Sequence, residues 1–389
     1  MKSIIKHSLF TFFLCTGILS CTNPEEIKDI VYFAGTDISP VVTYSLEEPE
    51  AIGISIRSSA KVTDDTKVGI KANAGLLAAY NDKNGTNYKP LPDHSYTFDT
   101  ESAIIKSGKY ASEPFYLQIN SIDNFKDEDT YCLPVEISGI QTGNQHLLES
   151  SQVMYVVLKK TIITKAAKLS GNYFYVDFSS DPGRDLSAVS QLSMEARIFV
   201  DAFQESDPYI GTIIGCEENF LLRLGDVKIP KDYLQLAGGG YPVSSVNAVT
   251  QSKWVHVAVT YDGKRITLYI DGKLNAYVDA PRGPINLFDG SKNSTSKVAF
   301  YIGTTSNSTK RTLKGKISEA RIWTRALTES EIANNICAVS ADSPDLLAYW
   351  KFNSWKDDAN KNIVVDYTGH GYNAIGASTI TWEEGVRCP

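Results

Sequence analysis

Trp254-Val255-His256-Val257-Ala258-Val259-Thr260-Tyr261 alternates strictly and runs into Asp262-Gly263; Ile266-Thr267-Leu268-Tyr269-Ile270 follows and ends at Asp271-Gly272. A period of two places alternate side chains on opposite faces, so each run predicts a strand with one buried face. Asp-Gly is the dipeptide that two-residue hairpins favour, because it tolerates the positive φ they require. Two such turns this close together predict an antiparallel meander. Downstream, Gly315-Lys316-Ile317-Ser318-Glu319-Ala320-Arg321-Ile322-Trp323 predicts another strand. Thr328-Glu329-Ser330-Glu331 then has the form of a capping box, opening a short helix to about Cys337.

The same patterning extends upstream. Ala51–Ile56, Phe115–Ile119 and Val153–Leu158 alternate as strands do. One interruption is helical: in Ala74–Asn81, Leu76, Leu77 and Tyr80 share a face, and Asn84-Gly85 makes a natural stop. Lys160 to Lys168 shows no alternation and is expected to be a connector. The organisation expected is a signal segment 1–20, a tether 21–28, a first β-sandwich 29–160, a linker 161–168 and a second β domain 169–389. The fold class is therefore all-β.

Length and composition agree. At 389 residues, with 42% hydrophobic and 21% charged, the chain suits two globular domains with real cores. A net charge of −7 and no basic stripe exclude a nucleic-acid backbone as partner. Lys2 and Lys6, the apolar run Ser8–Leu19 and then Ile18-Leu19-Ser20-Cys21 read as a lipoprotein signal. Cys21 is the expected lipidation site; the alternative is an ordinary signal peptide that happens to contain a cysteine. Removing residues 1–20 takes away two lysines and no acid, which moves the charge from −7 to −9. The acidic pair Glu25-Glu26 behind Cys21 is similar to the surface-export signal of Bacteroidetes lipoproteins. The localisation expected is therefore the outer membrane, facing outward, held through the lipid on Cys21 alone.

Two family resemblances follow. Leu77-Ala78-Ala79-Tyr80-Asn81, Asn84-Gly85-Thr86-Asn87-Tyr88, Leu91-Pro92 and Ser95-Tyr96 resemble an Ig-like N-terminal domain of unknown function found in Bacteroidetes surface lipoproteins. That match spans roughly residues 27–160, and the domain it resembles is often placed ahead of glycan-binding or glycan-cleaving domains. Trp254–Gly272, Gly315–Ile332, Tyr349-Trp350-Lys351-Phe352 and Asp366-Tyr367-Thr368-Gly369-His370-Gly371 resemble the laminin-G/pentraxin-like branch of the concanavalin fold, an antiparallel jelly roll. Relatives often carry Asp before the Glu in the strand after Gly315; here Ser318 stands there. The resemblance implies a fold that hosts lectins, adhesion modules and hydrolases, and it does not choose among them.

The chemistry-bearing residues narrow the choice. The five histidines lie far apart and no CxxC occurs, so zinc is not expected. His256, inside a strand, is expected to be structural. No cofactor is required. A structural Ca²⁺, which such jelly rolls accommodate, would draw on Asp177, Glu319 and Asp366, against the alternative of turn-capping acids. Glycoside hydrolysis needs two facing carboxylates, and no strand presents a Glu-x-Asp-x-x-Glu pattern. Glu217-Glu218 would face opposite sides of a strand. Cys216 lacks a nearby His/Asn partner, and Gly238-Gly239-Gly240 lacks the Lys-Ser/Thr of a phosphate loop. Sugar sites combine aromatic faces with Asp, Asn and Arg. Tyr209, Tyr233 and Tyr241, in loop-like stretches, with Asn219 and Arg223 between them, are the candidate ligand-binding residues. Trp254, Trp323 and Trp350 are expected in the core. Cys337 and Cys388 are the expected disulfide, with two free thiols as the alternative; closing that loop would contribute about 3–4 kcal/mol.

The function expected is non-catalytic binding of complex glycans beside a glycan uptake or degradation system, with neighbouring uptake proteins as further partners. The alternatives are a glycoside hydrolase with an unrecognised site and a protein-binding adhesion or spacer module.

Overall fold

A computed structural model describes residues 29–169, 171–179, 183–288, 300–305 and 310–388. The signal segment and the whole tether, Cys21 included, lie outside the described residues.

The N-terminal half buries one apolar core, which includes Val31, Phe33, Leu117, Val135 and Val156. A five-stranded sheet carries Val41–Leu46, Val153–Lys160, Thr130–Thr142, Thr66–Ala72 and Ser102–Ile105 in that order, and two separate three-stranded sheets contribute to the same core. Most pairs are antiparallel; Val41–Leu46 lies parallel to Val153–Lys160. The expected strand 51–56 is broken at Ser55 into Ala51–Ile54 and Ile56–Ser58. The helix begins as a 3₁₀ turn at Ala74–Leu76 and continues as Leu77–Asn84. Gly85 ends it at φ 64°, the left-handed cap that glycine adopts without cost. That helix covers the outer face of the five-stranded sheet, where Leu77, Cys132 and Val157 form a small separate cluster. Burial pushes the Cys132 thiol up to about 12, so it behaves there as a small apolar group.

The C-terminal half is a sandwich of two eight-stranded sheets over a second core. The first sheet runs Lys273–Asp279, Arg265–Ile270, Trp254–Tyr261, Leu192–Ala202, Lys314–Trp323, Ile162–Lys168 and Trp382–Cys388, with Leu346–Trp350 also pairing Lys314–Trp323. The second runs Val243–Ala248, Ile229–Ala237, Phe220–Asp226, Gly211–Cys216, Phe300–Ile302, Phe174–Val176, Ala374–Gly376 and Ile363–Val364. The predicted meander is present. Ile270 pairs with Lys273 across Asp271 (φ 48°) and Gly272 (φ 75°), which is the two-residue turn with both central residues at positive φ. The Asp271 carboxylate accepts from the His256 N–H at 2.9 Å and ties the turn to the neighbouring strand.

The expected linker is corrected. Residues Ile162–Lys168 are a strand of the first sheet, with Ala166 and Ala167 fully buried. Its alternation is hidden because the register against Trp382–Cys388 shifts between Thr164 and Ala166, and a bulge breaks the period of two. Only Thr161 separates it from Val153–Lys160 of the N-terminal sheet. Ion pairs reinforce the junction: Asp127 lies 3.4 Å from Lys160 and 3.9 Å from Lys351, and Arg387 pairs with Glu47.

The capping box forms as predicted: Thr328 Oγ1 accepts from the Glu331 N–H, and the Glu331 carboxylate accepts from the Thr328 N–H at 2.8 Å. The helix is shorter than expected, Glu329–Asn334. Beyond it, Cys337 is bonded to Cys388, with their Cα atoms 5.6 Å apart.

Candidate functional site

Apolar residues on alternate positions fix which way each strand of the second sheet faces. Phe220, Leu222 and Leu224, Leu234 and Leu236, Phe300 and Ile302, and Phe174 and Val176 all belong to the core. Alternation then turns Leu221 and Arg223, Tyr233 and Gln235, Tyr301, and Tyr175 to the outer face. The register sets them in rows. Leu221, Gly215, Tyr301 and Tyr175 are successive cross-strand partners. The next row, about 7 Å along the strands, pairs Gln235 with Arg223 and Arg223 with Thr212. Tyr173 precedes Tyr175 on the same face, its ring 6.3 Å from that of Tyr301. A glycine at 215 is required: at φ 129° a Cβ would sit 2.2 Å from the Phe220 carbonyl oxygen.

Arg223 anchors the polar row. Its Nε donates to Gln235 Oε1 at 2.9 Å, and its terminal nitrogen pairs with Asp226. Gln235 in turn donates to Ser244 Oγ at 3.3 Å. Arg311 Nη1 donates to Glu217 Oε1 at 2.6 Å. Glu217 Oε2 is shielded and has no hydrogen-bond partner. Desolvation raises the Glu217 carboxyl above its ordinary range, against the attraction of Arg311 and Arg223. The result is a rigid set of donors and acceptors beside the half-buried rings of Tyr173, Tyr175 and Tyr233, while Tyr301 and Leu221 in the neighbouring row are fully buried.

The sequence-predicted ligand residues divide between three places. Arg223 and Tyr233 lie on this face, both in strands and not in loops. Tyr209 lies at the end marked by the Asp226–Ile229 hairpin, where its carbonyl oxygen packs against Gly225. Asn219 and Tyr241 belong to the opposite end. Arg282 donates to both the backbone and side-chain oxygens of Asn219, at 2.8 and 2.6 Å, and the Asn219 amide donates to the Asn286 carbonyl at 2.7 Å. Asn219 is thereby a loop clamp, with its side chain committed on both sides. The triglycine permits this clamp: a Cβ at Gly239 would lie 2.0 Å from Arg282 Nη1. Tyr241 packs against the core. Glu217 and Glu218 are not on a strand; they sit in the turn between Gly211–Cys216 and Phe220–Asp226, with Glu218 at φ 59°. Cys216 is buried, and its thiol donates to the Leu287 carbonyl.

The metal candidates do not fit a calcium site. Among the described residues no group of three or more His, Cys, Asp or Glu could hold a metal ion. Asp366 is a turn organiser, accepting from the Tyr349, Thr368 and Tyr372 N–H groups and from Thr368 Oγ1. Asp177 accepts from the Ser179 N–H and hydroxyl. Glu319 is bound to Arg321 at 3.0 Å and to the Tyr349 hydroxyl at 3.0 Å.

Glu319 belongs to a buried polar network on the outer face of the first sheet, beside a small apolar cluster that includes Leu327, Ile332 and Val339 from the segment after Trp323. Arg321, 1% exposed, lies 3.0 Å from Glu319 and 3.8 Å from Glu195. Glu195 accepts from Trp323 Nε1 at 2.7 Å and lies 3.2 Å from His256 Nε2. Ser318 accepts from Arg197 at 3.3 Å and so joins the same polar network. Of the three tryptophans, Trp350 is in the main core and Trp323 in this smaller cluster. Trp254 is not buried: it is half-exposed, with the Arg197 guanidinium 4.8 Å above its ring.

Desolvation pushes both buried carboxyls up, but with unequal outcomes. At Glu195 the Arg321 charge, His256 and Trp323 outweigh it and hold the carboxyl below its ordinary range. At Glu319 desolvation wins and raises the carboxyl from 4.5 to about 6. Between those values the folded state keeps a proton that the unfolded chain releases, so the contribution of this group to stability falls as pH rises through the window. We expect Glu319→Gln to remove that slope. The stability difference between variant and parent, from urea titrations at pH 4 and 7, should change by about 2 kcal/mol in favour of the variant. Parallel profiles would contradict the assignment.

Comparison with known proteins places this geometry. Residues 170–333 match the family model of the concanavalin A-like lectin/glucanases superfamily. The C-terminal half carries a concanavalin A-like domain. Residues 25–144 match a family model for an N-terminal domain. No curated protein matches the chain. Among solved structures, a candidate carbohydrate-binding protein from Bacteroides ovatus is 26% identical, with a TM-score of 0.65, over 92% of this chain and 99% of that one. The similarity therefore covers both halves, the concanavalin A-like domain included. The CBM40 of the Ruminococcus gnavus IT-sialidase, bound to α2,3 sialyllactose, is 18% identical over 45% of this chain and 95% of that one. Its TM-score is 0.30, too low a likeness to bear on the concanavalin A-like domain here.

Proposed function

We propose that the chain binds carbohydrate on the outer face of its second C-terminal sheet, without cleaving it. The observation that carries this reading is the juxtaposition of two rows on one face. Tyr173, Tyr175 and Tyr233 offer ring surface, and Arg223, Gln235, Glu217 and Arg311 offer fixed donors and acceptors beside them. A sugar ring presents an apolar C–H face and a rim of hydroxyls, and such a pairing meets both. Orientation costs little because the polar groups already hold one another in place. The likeness to the Bacteroides ovatus protein supports the same reading. Against hydrolysis, Asp226 is committed to Arg223, which leaves Glu217 without a second free carboxylate among these residues for two-carboxylate chemistry.

We further propose lipid attachment at Cys21 in the outer membrane, with the glycan presented to neighbouring uptake proteins. The acylation signal in the sequence supports this. Labelled palmitate should enter the parent and not Cys21→Ala; label retained in that variant would sink the anchor.

A glycan array of residues 22–389, with calcium and with chelator, tests the binding reading. The expected result is binding confined to one glycan class and unchanged by chelator, because the carboxylates that would hold Ca²⁺ are occupied by protein donors. A blank array from folded protein would reject the reading and favour an adhesion or spacer role.

A further inference from the structure

We infer that the junction between the two halves holds a second saccharide site, separate from the sheet face, which takes a single sugar residue through its hydroxyls. The chain crosses from the N-terminal sheet to the first C-terminal sheet through Thr161, and a cavity of about 190 Å³ opens there. Asp127 and Lys160 line it from the first half, and Glu319, Lys351 and Asn353 from the second, with Ile163 as an apolar wall. That volume has room for about six waters, or for one sugar ring in their place. It falls short of the ~300 Å³ at which drug-sized pockets begin. A second cavity of about 150 Å³ continues past Asp127 and Lys160 toward Asn334 and Cys337, which gives a substituent on that ring room to continue.

The polar groups here are held in place with hydrogen-bonding capacity to spare. The Lys351 side chain is only 16% exposed, yet its ammonium donates no hydrogen bond to a described residue. It lies 3.9 Å from Asp127 and 4.5 Å from the centre of the Tyr367 ring. Lys160 stands 3.4 Å from the other oxygen of Asp127. An ammonium held mostly out of water with unmatched N–H groups is costly, and a ligand oxygen relieves it. Glu319 is already committed to Arg321 and the Tyr349 hydroxyl, so Asp127 is the acceptor left for a ligand in this cavity. The adjoining cavity adds Glu128, Asp129 and Lys159, again of both signs. A ligand bringing acceptors alone would leave Asp127 unmatched, and one bringing donors alone would leave the lysines so. A hydroxyl both donates and accepts. A sugar ring carries several, and it has C–H surface for Ile163 and Tyr367, which are 49% and 53% exposed. Neither half of the chain supplies this set alone.

The test is saturation-transfer NMR on residues 22–389 with free glucose, galactose, mannose, xylose and N-acetylglucosamine at millimolar concentration. The double variant Arg223→Ala/Tyr175→Ala disables the sheet face, so that any remaining signal reports another site. The expected result is that at least one sugar binds the parent and this double variant alike. The same sugar should bind at least about tenfold more weakly to Lys351→Met and to Asp127→Asn, the cost of one hydrogen bond to a charged group. Lys351→Met keeps an apolar stem against the tyrosines and removes only the ammonium. Where Asp127→Asn loosens the junction, as a lowered Tm would show, Lys351→Met decides alone. A sugar that keeps parental affinity in Lys351→Met, or whose signal vanishes with the sheet face, would overturn the inference and leave the binding reading intact. Binding of none of these sugars by folded parent would overturn the junction site, while the glycan array still decides the sheet face.

Discussion

Arg321→Ala should destabilise the C-terminal domain by about 3–5 kcal/mol, the usual cost of leaving buried carboxylates without their counter-charge. The side chain is 1% exposed and stands between Glu195 and Glu319. It also donates to the Asn335 carbonyl at 2.7 Å and to the Ile336 carbonyl at 3.1 Å, which holds the exit of the helix Glu329–Asn334. Truncation therefore strands two acids and releases a backbone segment together. Replacing the charged set by apolar residues of similar volume should cost far less, because no ion is then left unpaired. Urea denaturation followed by tryptophan fluorescence measures the difference. A loss below about 1 kcal/mol would mean that water or relaxation compensates the network.

The second large effect lies one residue beyond Ile336. The Cys337–Cys388 bond closes a separation of 51 residues, worth about 4 kcal/mol in the chain-entropy treatment. Cys388 ends the last strand, paired with Ile162 where the chain has just left the N-terminal sheet. The Cys337→Ser/Cys388→Ser variant should lose about that amount in a urea titration, and reducing agent should reproduce the loss in the parent. A parent equally stable with and without reductant would show that strand pairing alone holds the tail. Because Arg321 and the disulfide secure the same segment, their combined loss should be non-additive, and a double-mutant cycle reads that coupling directly.

Much of the fold was legible because it rests on local rules. Strict alternation around Trp254–Tyr261 and Asp-Gly at positive φ need no distant partner. The strand Ile162–Lys168 was not legible, since a bulge and two buried alanines erase its pattern. The buried network left a trace that went unread: Glu195 and Arg197, and Glu319 and Arg321, recur two apart inside apolar strands, the mark of one outward face covered by something else. The candidate site was half legible. Arg223 and Tyr233 were singled out by residue type, and Gln235, Glu217, Arg311 and Tyr175 come beside them only through cross-strand register, which no single stretch encodes. That Asn219 is held by Arg282 was not legible, because that partner lies 63 residues away.

The binding face is tested most directly by titrating the array-selected glycan into Arg223→Ala and Tyr175→Ala, beside Tyr209→Ala as a control outside the rows. Both site variants, with parental circular dichroism, should bind at least tenfold more weakly, and Tyr209→Ala should bind as the parent does. Parental affinity in folded Arg223→Ala and Tyr175→Ala would contradict the account and move the glycan to another surface.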